Sequence, residues 1–210
     1  MRISQTSMIP FATLHKQLDT ELHNLASESK RRNSQVKQAC DKSLKILKTV
    51  HNNHELTRHP DFVLPFILAC SSRNAKLTSI AIQCLQLLSS MECIPKERLS
   101  EVLDGFIEAT HLATDIQLKI LQVVPIFFKT YARYIHDTLV TKLLQCCSNL
   151  FQLANKSVMV TSAASAAMQQ LVDEIFERLS YDWSKIIDLT DPHGAHSIDE
   201  LEEFQDKYSV

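Results

Sequence analysis

Residues 62–90 read FVLPFILACSSRNAKLTSIAIQCLQLLSS, and this stretch decides the fold class. A short apolar segment comes first, a polar break follows at residues 71–74, and a second segment then repeats apolar residues at spacings of three and four. The apolar residues of the second segment are Leu77, Ile80, Ala81, Cys84, Leu85 and Leu88. This spacing places them on one stripe of a helix, and another helix must cover such a stripe. The stretch therefore predicts one helical hairpin of a stacked array.

The composition of the whole chain also favours helices. The 210 residues are 45% hydrophobic and 22% charged and include two glycines. Tight turns and strand connections depend on glycine, so this composition argues against a sheet-rich fold. We predict an all-α fold, an armadillo- or HEAT-like right-handed solenoid of stacked helical hairpins. The hairpins are expected at intervals of roughly 35 to 45 residues.

Further apolar stripes at helical spacing occur on both sides of this hairpin. They are Phe11, Leu14, Leu18, Leu22 and Leu25; Val36, Cys40, Ser43, Leu47 and Val50; Leu99, Val102, Leu103, Phe106 and Ile107; Leu139, Val140, Leu143, Leu144, Cys147, Leu150 and Phe151; and Ala163, Ala164, Ala167, Met168, Leu171, Val172, Ile175, Phe176 and Leu179. Residues 116–128 are apolar nearly all round, so we predict the innermost helix there, kinked at Pro125. Ser34 and Thr114 are the predicted N-caps of their helices.

These patterns divide the chain into three parts. Residues 1–10 are predicted to be a flexible leader, and residues 11–180 form the helical array. Residues 181–210 are predicted to be an acidic linker, in which Ser197-Ile-Asp-Glu200 is a capping box for a short helix. The last long helix of the array is expected to end near Leu179.

Charge is distributed unevenly along a chain whose net charge is -2. Residues 1–50 contain nine Lys and Arg against four Asp and Glu, whereas residues 181–210 contain two against eight. The candidate patch for a protein partner or lipid comprises Lys30, Arg31, Arg32, Lys37, Lys45 and Lys48. It is open to two interpretations, a solvated helix face or a docking surface for an acidic partner or anionic membrane. The run contains no aromatic residue, which speaks against nucleic acid as a partner.

No motif for catalysis or for a cofactor emerges. Six cysteines occur without a Cys-x-x-Cys pair, and we interpret them as reduced thiols of a cytosolic protein. His51-Asn-Asn-His54-Glu55 and His59 invert the order of a zinc helix and lie in a predicted loop, so we predict no metal there. No apolar run reaches the roughly 20 residues that span a bilayer, so a membrane role would be peripheral. The chain is predicted to be neither an enzyme nor a cofactor-binding protein.

Three motifs in the right order resemble a known family. The central hairpin contributes Pro65-Phe-Ile-Leu-Ala-Cys70, Lys76, Ala81 and Cys84-Leu-Gln-Leu-Leu88. The first two helices contribute Leu22-x-x-Leu25-x-Ser27-Glu28-x-Lys30-Arg31-Arg32-x-x-x-Val36-Lys37-x-Ala39 and Leu44-x-Ile46-Leu47, and the last contributes Ile175-Phe-Glu-Arg-Leu179. Residues 11–180 thereby resemble the dimerisation and cyclophilin-binding (DCB) domain that begins the large Arf guanine-nucleotide exchange factors. Within that family they are most similar to the Mon-two (monensin-sensitivity) scaffold branch.

The resemblance implies a non-catalytic scaffold domain of a very large cytosolic protein, peripheral on trans-Golgi network and endosome membranes. It implies self-association as a homodimer and docking on the helical domain that follows in the same chain. An Arf-like small GTPase and a Dopey-type scaffold are the other partners it implies. The resemblance assigns no individual contact residue, and the basic patch rests on charge alone.

Overall fold

The computed structural model describes residues 10–29, 33–153 and 157–190, with the backbone alone for residue 153 and residues 182–190. Within these ranges every regular element is helical and no strand occurs. The prediction of an all-α fold is therefore confirmed. The chain divides into two compact units, Met1–Gln170 and Leu171–Val210.

Nine α-helices lie in the described part of the chain. They are α1 (Phe11–Glu28), α2 (Ser34–Leu47), α3 (Asn53–Thr57), α4 (Leu64–Ser71), α5 (Ala75–Ser90), α6 (Leu99–Ala109), α7 (Thr114–Tyr131), α8 (Asp137–Leu153) and α9 (Val158–Thr190). Short 3₁₀ helices precede three of them: Pro60–Val63 before α4, Lys96–Arg98 before α6 and Ala132–Tyr134 before α8. This recurring order indicates a structural repeat that is not visible as a repeated sequence motif.

The helices of the first unit form two layers. In one layer α1 packs beside α5, and α5 packs beside α7. In the other layer α2, α4, α6 and α8 follow one another as neighbours. Contacts of α1 with α2, of α4 with α5 and of α6 with α7 join the layers. The three hairpins α1–α2, α4–α5 and α6–α7 thus each supply one helix to each layer, which agrees with the predicted solenoid of stacked hairpins.

On α1, α2, α5 and α6 most residues of the predicted apolar stripes are buried between the layers. On α1 the four leucines of the stripe have no exposed surface. Aromatic rings continue the core between α6 and α7, where the centroids of Phe106 and Phe127 are 6.3 Å apart and those of Phe127 and Tyr131 are 5.1 Å apart. Burying one such side chain contributes about 1.5–3 kcal/mol. The interior is therefore built from the residues that the helical periodicity selects.

Polar contacts repeat at the interval of the hairpins. Lys119 Nζ donates to Ser79 Oγ at 2.6 Å, 40 residues earlier. Lys142 Nζ lies 2.8 Å from Ser100 Oγ, 42 residues earlier. These lysines connect α7 to α5 and α8 to α6, the neighbouring helices within each layer. The separations agree with the repeat of roughly 35 to 45 residues expected from the sequence.

Helices α4 and α6 approach each other closely at Gly105. A Cβ atom built on Gly105 would lie 3.1 Å from Cβ of Cys70 and 3.8 Å from the carbonyl oxygen of Ile67. Since Cβ of Cys70 is fixed to the backbone of α4, it cannot give way unless the helix moves. Glycine inside a helix costs roughly 1 kcal/mol relative to alanine. At this position it provides the space that the neighbouring helix occupies.

The connection after α5 is held by backbone geometry and by Tyr131. The amide of Cys93 donates to the carbonyl of Leu88 at 2.8 Å, and Glu92 has a φ of 53°. This is the Schellman arrangement that commonly ends a helix, with glutamate where glycine is usual. The buried amide of Ile94 then donates to the hydroxyl of Tyr131 at 2.8 Å. One side chain of α7 thereby fixes the loop ahead of α6.

Two predicted N-caps are wrong. Asn33 precedes α2 and Ala113 precedes α7, and neither side chain makes a capping hydrogen bond. Ser34 and Thr114 are instead the first helical residues. At α7 the reason is local, because the extended cap residue is Ala113, whose methyl group offers no acceptor. The α5 helix does have a side-chain cap, since Asn74 Oδ1 accepts from the amide of Lys76 at 3.0 Å.

The last helix is longer than the periodicity indicates. We expected its end near Leu179, whereas α9 continues to Thr190. No glycine or proline interrupts the chain between these two positions, so no residue there breaks the helix. The predicted helix at residues 197–206 and the leader at residues 1–9 lie outside the described residues.

Replacing Gly105 by valine should destabilise the fold. Because the added side chain would overlap α4, we expect a loss of about 1–3 kcal/mol in the free energy of unfolding, measured by urea denaturation. Glu108→Val is the control, since Glu108 is exposed on the same helix and should change stability by less than about 0.5 kcal/mol. Equal stabilities of the two variants would contradict the close approach of α4 and α6.

Removing the hydroxyl of Tyr131 should leave the buried amide of Ile94 without a partner. We expect Tyr131→Phe to lower the free energy of unfolding by about 1–3 kcal/mol. Tyr134→Phe is the matched control, because the ring of Tyr134 keeps its contact with Arg133, 4.8 Å from the centroid. An unchanged denaturation midpoint for Tyr131→Phe would show that the hydroxyl does not hold this loop.

Candidate protein-interaction surfaces

Three of the predicted basic residues lie on the outer side of α2. Lys37, Lys45 and Lys48 are exposed and form no ion pair or hydrogen bond through their ammonium groups among the described residues. Lys37 and Lys45 are eight positions apart in the helix and Lys48 is its C-cap, so all three point to one side. The remaining members of the patch, residues 30–32, lie outside the described residues. The structure therefore brings together half of the predicted patch.

An acidic residue that we did not predict as part of this surface lies in its middle. Asp41 is exposed and lies four positions from both Lys37 and Lys45. Residues four apart are neighbours on a helix surface, so the carboxylate reduces the positive potential of the three lysines. The helix positions alone would have revealed it. The surface is consequently less basic than the lysine count indicates.

A continuous groove runs along the outer side of the other layer. Its first part, about 460 Å³, is lined by Gln17 and Glu21 of α1, by residues of α5 and by Ile126 of α7. Its second part, about 370 Å³, lies between α5, α7 and the first turns of α9. Gln86 and Ile126 line both parts, which are therefore contiguous. We name it the amide groove after its five glutamines, Gln17, Gln83, Gln86, Gln122 and Gln170.

The groove lies on a face of α7 that we predicted to be covered by other helices, because residues 116–128 are apolar nearly all round. That prediction is wrong, since Gln122 is exposed and Pro125 and Ile126 are only half-buried. These three residues lie three and four positions apart and form an open stripe on α7. A single glutamine within the apolar run of residues 120–128 was the available signal for an uncovered face.

Large apolar side chains become exposed towards the end of the described chain. Every such residue among the described side chains lies after residue 150: Phe151 (47% exposed), Val158 (83%), Met159 (67%), Phe176 (64%), Leu179 (57%) and Tyr181 (57%). Phe151, Phe176 and Leu179 were predicted to face the interior, and the structure contradicts this. Their helical periodicity is real, but no described residue covers them. Phe176 and Leu179 are one turn apart on α9 and share a face.

The histidines of residues 51–59 lie in and around a short helix. His54 and its neighbours belong to the short helix α3, capped by Asn52, rather than to the loop that we predicted. Among the described residues, no three His, Cys, Asp or Glu side chains converge as metal ligands. His54 and Asn53 border a hollow of about 430 Å³ together with Tyr134. Oδ1 of Asn53 is buried without a hydrogen-bond partner in the described structure.

The six cysteine thiols are buried and are not in disulfides. Burial raises the pKa of Cys40, Cys70 and Cys93 to about 12, because a thiolate is poorly solvated in the interior. It also raises the pKa of Cys147 to about 11. These thiols are therefore protonated near neutral pH and lack the thiolate that nucleophilic chemistry needs. A search of the described residues for a helix able to span a bilayer finds none.

Comparison with known proteins places this fold in a family. Residues 10–183 match the family model described as "DCB: Mon2/Sec7/BIG1-like, dimerisation and cyclophilin-binding domain". The chain is 62% identical to Protein MON2 of Saccharomyces cerevisiae over 170 residues, which is 81% of this chain and 10% of that protein. It is 27% identical to the Protein MON2 homolog of Schizosaccharomyces pombe over 176 residues, 81% of this chain and 11% of the relative.

A more distant similarity extends to exchange factors. The chain is 24% identical over 131 residues to Brefeldin A-inhibited guanine nucleotide-exchange protein 1 of Rattus norvegicus, covering 56% of this chain and 7% of that protein. The chain thus spans about a tenth of the length of the curated relatives it matches. The match of the family model over most of the sequence shows that the chain belongs to the Mon2/Sec7/BIG1-like DCB family.

Proposed function

We propose that the chain is a non-catalytic scaffold domain of a larger protein, which mediates protein–protein contacts in vesicular trafficking. The exposed apolar side chains after residue 150 carry this proposal. Large apolar residues exposed side by side, as Phe176 and Leu179 are on α9, are typical of surfaces that other proteins cover. The description of the family as a dimerisation domain supports the same interpretation.

The finer parts of the proposal follow from the family, except for the interface, which is inferred from the exposed apolar residues of α9. We propose self-association through the face of α9 that carries Phe176 and Leu179, and docking on a following helical domain of the same protein. An Arf-like GTPase and a Dopey-type scaffold are the proposed further partners. The proposed location is the surface of trans-Golgi network and endosome membranes. We propose residues 11–180 as the folded domain and the acidic residues 181–210, the first ten of which continue α9, as the connection to the rest of the protein. Related exchange factors among the relatives support the link to trafficking.

Charges placed on α9 should prevent self-association. For the wild-type chain we expect the molar mass from light scattering to rise with concentration towards that of a dimer. The double variant Phe176→Glu/Leu179→Glu should remain monomeric, because each apolar side chain contributes about 1.5–3 kcal/mol when buried and a carboxylate resists burial.

Ala166→Glu is the control for this experiment. Ala166 is exposed on the same helix and is not a large apolar residue, so its replacement should leave the association unchanged. A wild-type chain that stays monomeric at every concentration would refute self-association. Equal weakening by the control would show that the face around Phe176 is not the interface.

A second candidate function is binding to an anionic membrane surface. The observation that favours it is the set of exposed, unpaired lysines Lys37, Lys45 and Lys48 on one side of α2. A basic residue near an anionic bilayer contributes about 1 kcal/mol. Three of them would therefore strengthen binding to the membrane about a hundredfold. The negative charge of Asp41 would reduce this gain.

Charge reversal distinguishes this function from the scaffold role. We expect the triple variant Lys37→Glu/Lys45→Glu/Lys48→Glu to lose binding to phosphatidylserine vesicles in a flotation assay. The control Lys16→Glu/Arg58→Glu/Lys96→Glu changes the net charge equally at three exposed basic residues elsewhere. Equal loss in both variants would assign the binding to overall charge, and no flotation of the wild type would exclude this function.

A further inference from the structure

The glutamines of the amide groove come from four helices that lie at distant positions in the sequence. Gln17 lies on α1, Gln83 and Gln86 on α5, Gln122 on α7 and Gln170 on α9. The fold collects them on one side, because α1, α5 and α7 are successive neighbours within a layer. The groove therefore presents an amide side chain on each helix that it crosses.

These five amides have no hydrogen-bond partner within the described residues. Other glutamines of the chain do have one: Gln117 donates to the carbonyl of Thr110 at 2.9 Å, and Gln152 donates to Ser148 at 3.3 Å. Each free amide carries a donor and an acceptor, which is the same pair that a peptide unit carries. The groove thus offers a row of groups complementary to a polypeptide main chain.

The backbone of α7 adds one further acceptor. Pro125 lies inside this helix and has no N–H, so the carbonyl of Leu121 lacks the donor that residue 125 would normally supply. Leu121 and Pro125 both line the second part of the groove. This part of α7 therefore has one carbonyl acceptor more than the hydrogen-bond pattern of the helix satisfies.

The low net charge of the groove and its apolar floor restrict the chemical class of ligand that it can bind. Among the described residues that line the groove, Glu21 in the first part and Lys129 in the second are the only charged side chains, and their charges cancel. A nucleic acid or a lipid headgroup would need a surplus of positive charge. Leu87, Pro125 and Ile126 are half-buried and form an apolar floor between the amides. This combination fits a weakly charged polypeptide.

We propose that the amide groove binds an extended, weakly charged peptide segment of a partner protein through the main chain of that segment. The proposal rests on the scaffold function and names the chemistry of one partner. Neighbouring helices lie about 8–10 Å apart, and an extended chain advances about 3.3–3.6 Å per residue. The bound segment would therefore reach a new glutamine-bearing helix about every three of its own residues. A segment of about nine residues would span the groove from α1 to α9.

The test uses random 12-residue peptides displayed on phage and panned against the 210-residue chain. Enriched peptides are synthesised and titrated by fluorescence anisotropy. We expect peptides with few charged residues, and at least tenfold weaker binding to the variant Gln86→Ala/Gln122→Ala. N-methylation of the central peptide amides should cause a similar loss, because it removes main-chain donors and leaves the side chains unchanged.

The control variant is Gln38→Ala/Gln145→Ala, which removes two exposed glutamines from α2 and α8 in the opposite layer. It should bind the peptides as the wild type does. No enrichment, or peptides that bind the groove variant and the wild type equally, would overturn the proposal. Light scattering of the groove variant is measured in parallel. A wild type that self-associates but enriches no peptide would overturn the groove proposal alone, whereas a wild type that does neither would also count against the scaffold function.

Discussion

Burial of apolar helix stripes between two layers is the constraint on which the rest of this structure depends. No helix in the first unit can cover its own stripe, and the stripes of α1, α2 and α4 to α7 are covered by hairpin partners and by neighbours in the same layer. The leucines of α1 and the aromatic cluster around Phe127 show complete burial of this kind. At about 25 cal/mol per Å², such burial outweighs the contribution of any surface contact. Stability is therefore a sum over adjacent hairpins, as in other solenoids.

Polar contacts between hairpins have a different role. The lysines that reach back about 40 residues, such as Lys119 to Ser79, lie near the surface and contribute little energy. Their regular spacing is consistent with one alignment of successive hairpins. Buried polar contacts are fewer but more costly to lose, and the bond between Ile94 and Tyr131 is one of them. Gly105 is a steric requirement of the same kind, because the absence of its side chain allows α4 and α6 to approach closely.

Because the buried stripes supply most of the stability, the outer faces of the helices are available for binding. The inner stripes hold the layers together, so the side chains on the outer faces are not needed for packing. The basic side of α2 and the amide groove occupy opposite layers and differ in chemistry, one charged and the other neutral. In the second unit, the exposed apolar residues of α9 form a third kind of surface. A scaffold domain with several such faces can hold more than one partner without any catalytic chemistry.

The sequence by itself determined the helical class, the positions of most helices and the faces that turn inwards, because apolar spacing is a local property that repeats within each helix. It also carried the family motifs. Only the tertiary structure decided which faces stay open, since exposure depends on neighbours that lie 40 or more residues away. For that reason the sequence does not indicate that Gln122, which lies within an apolar run, is on an open face. For the same reason its periodicity wrongly predicts that Phe176 is buried. The amide groove exists only because the stacked hairpins bring α1, α5 and α7 side by side.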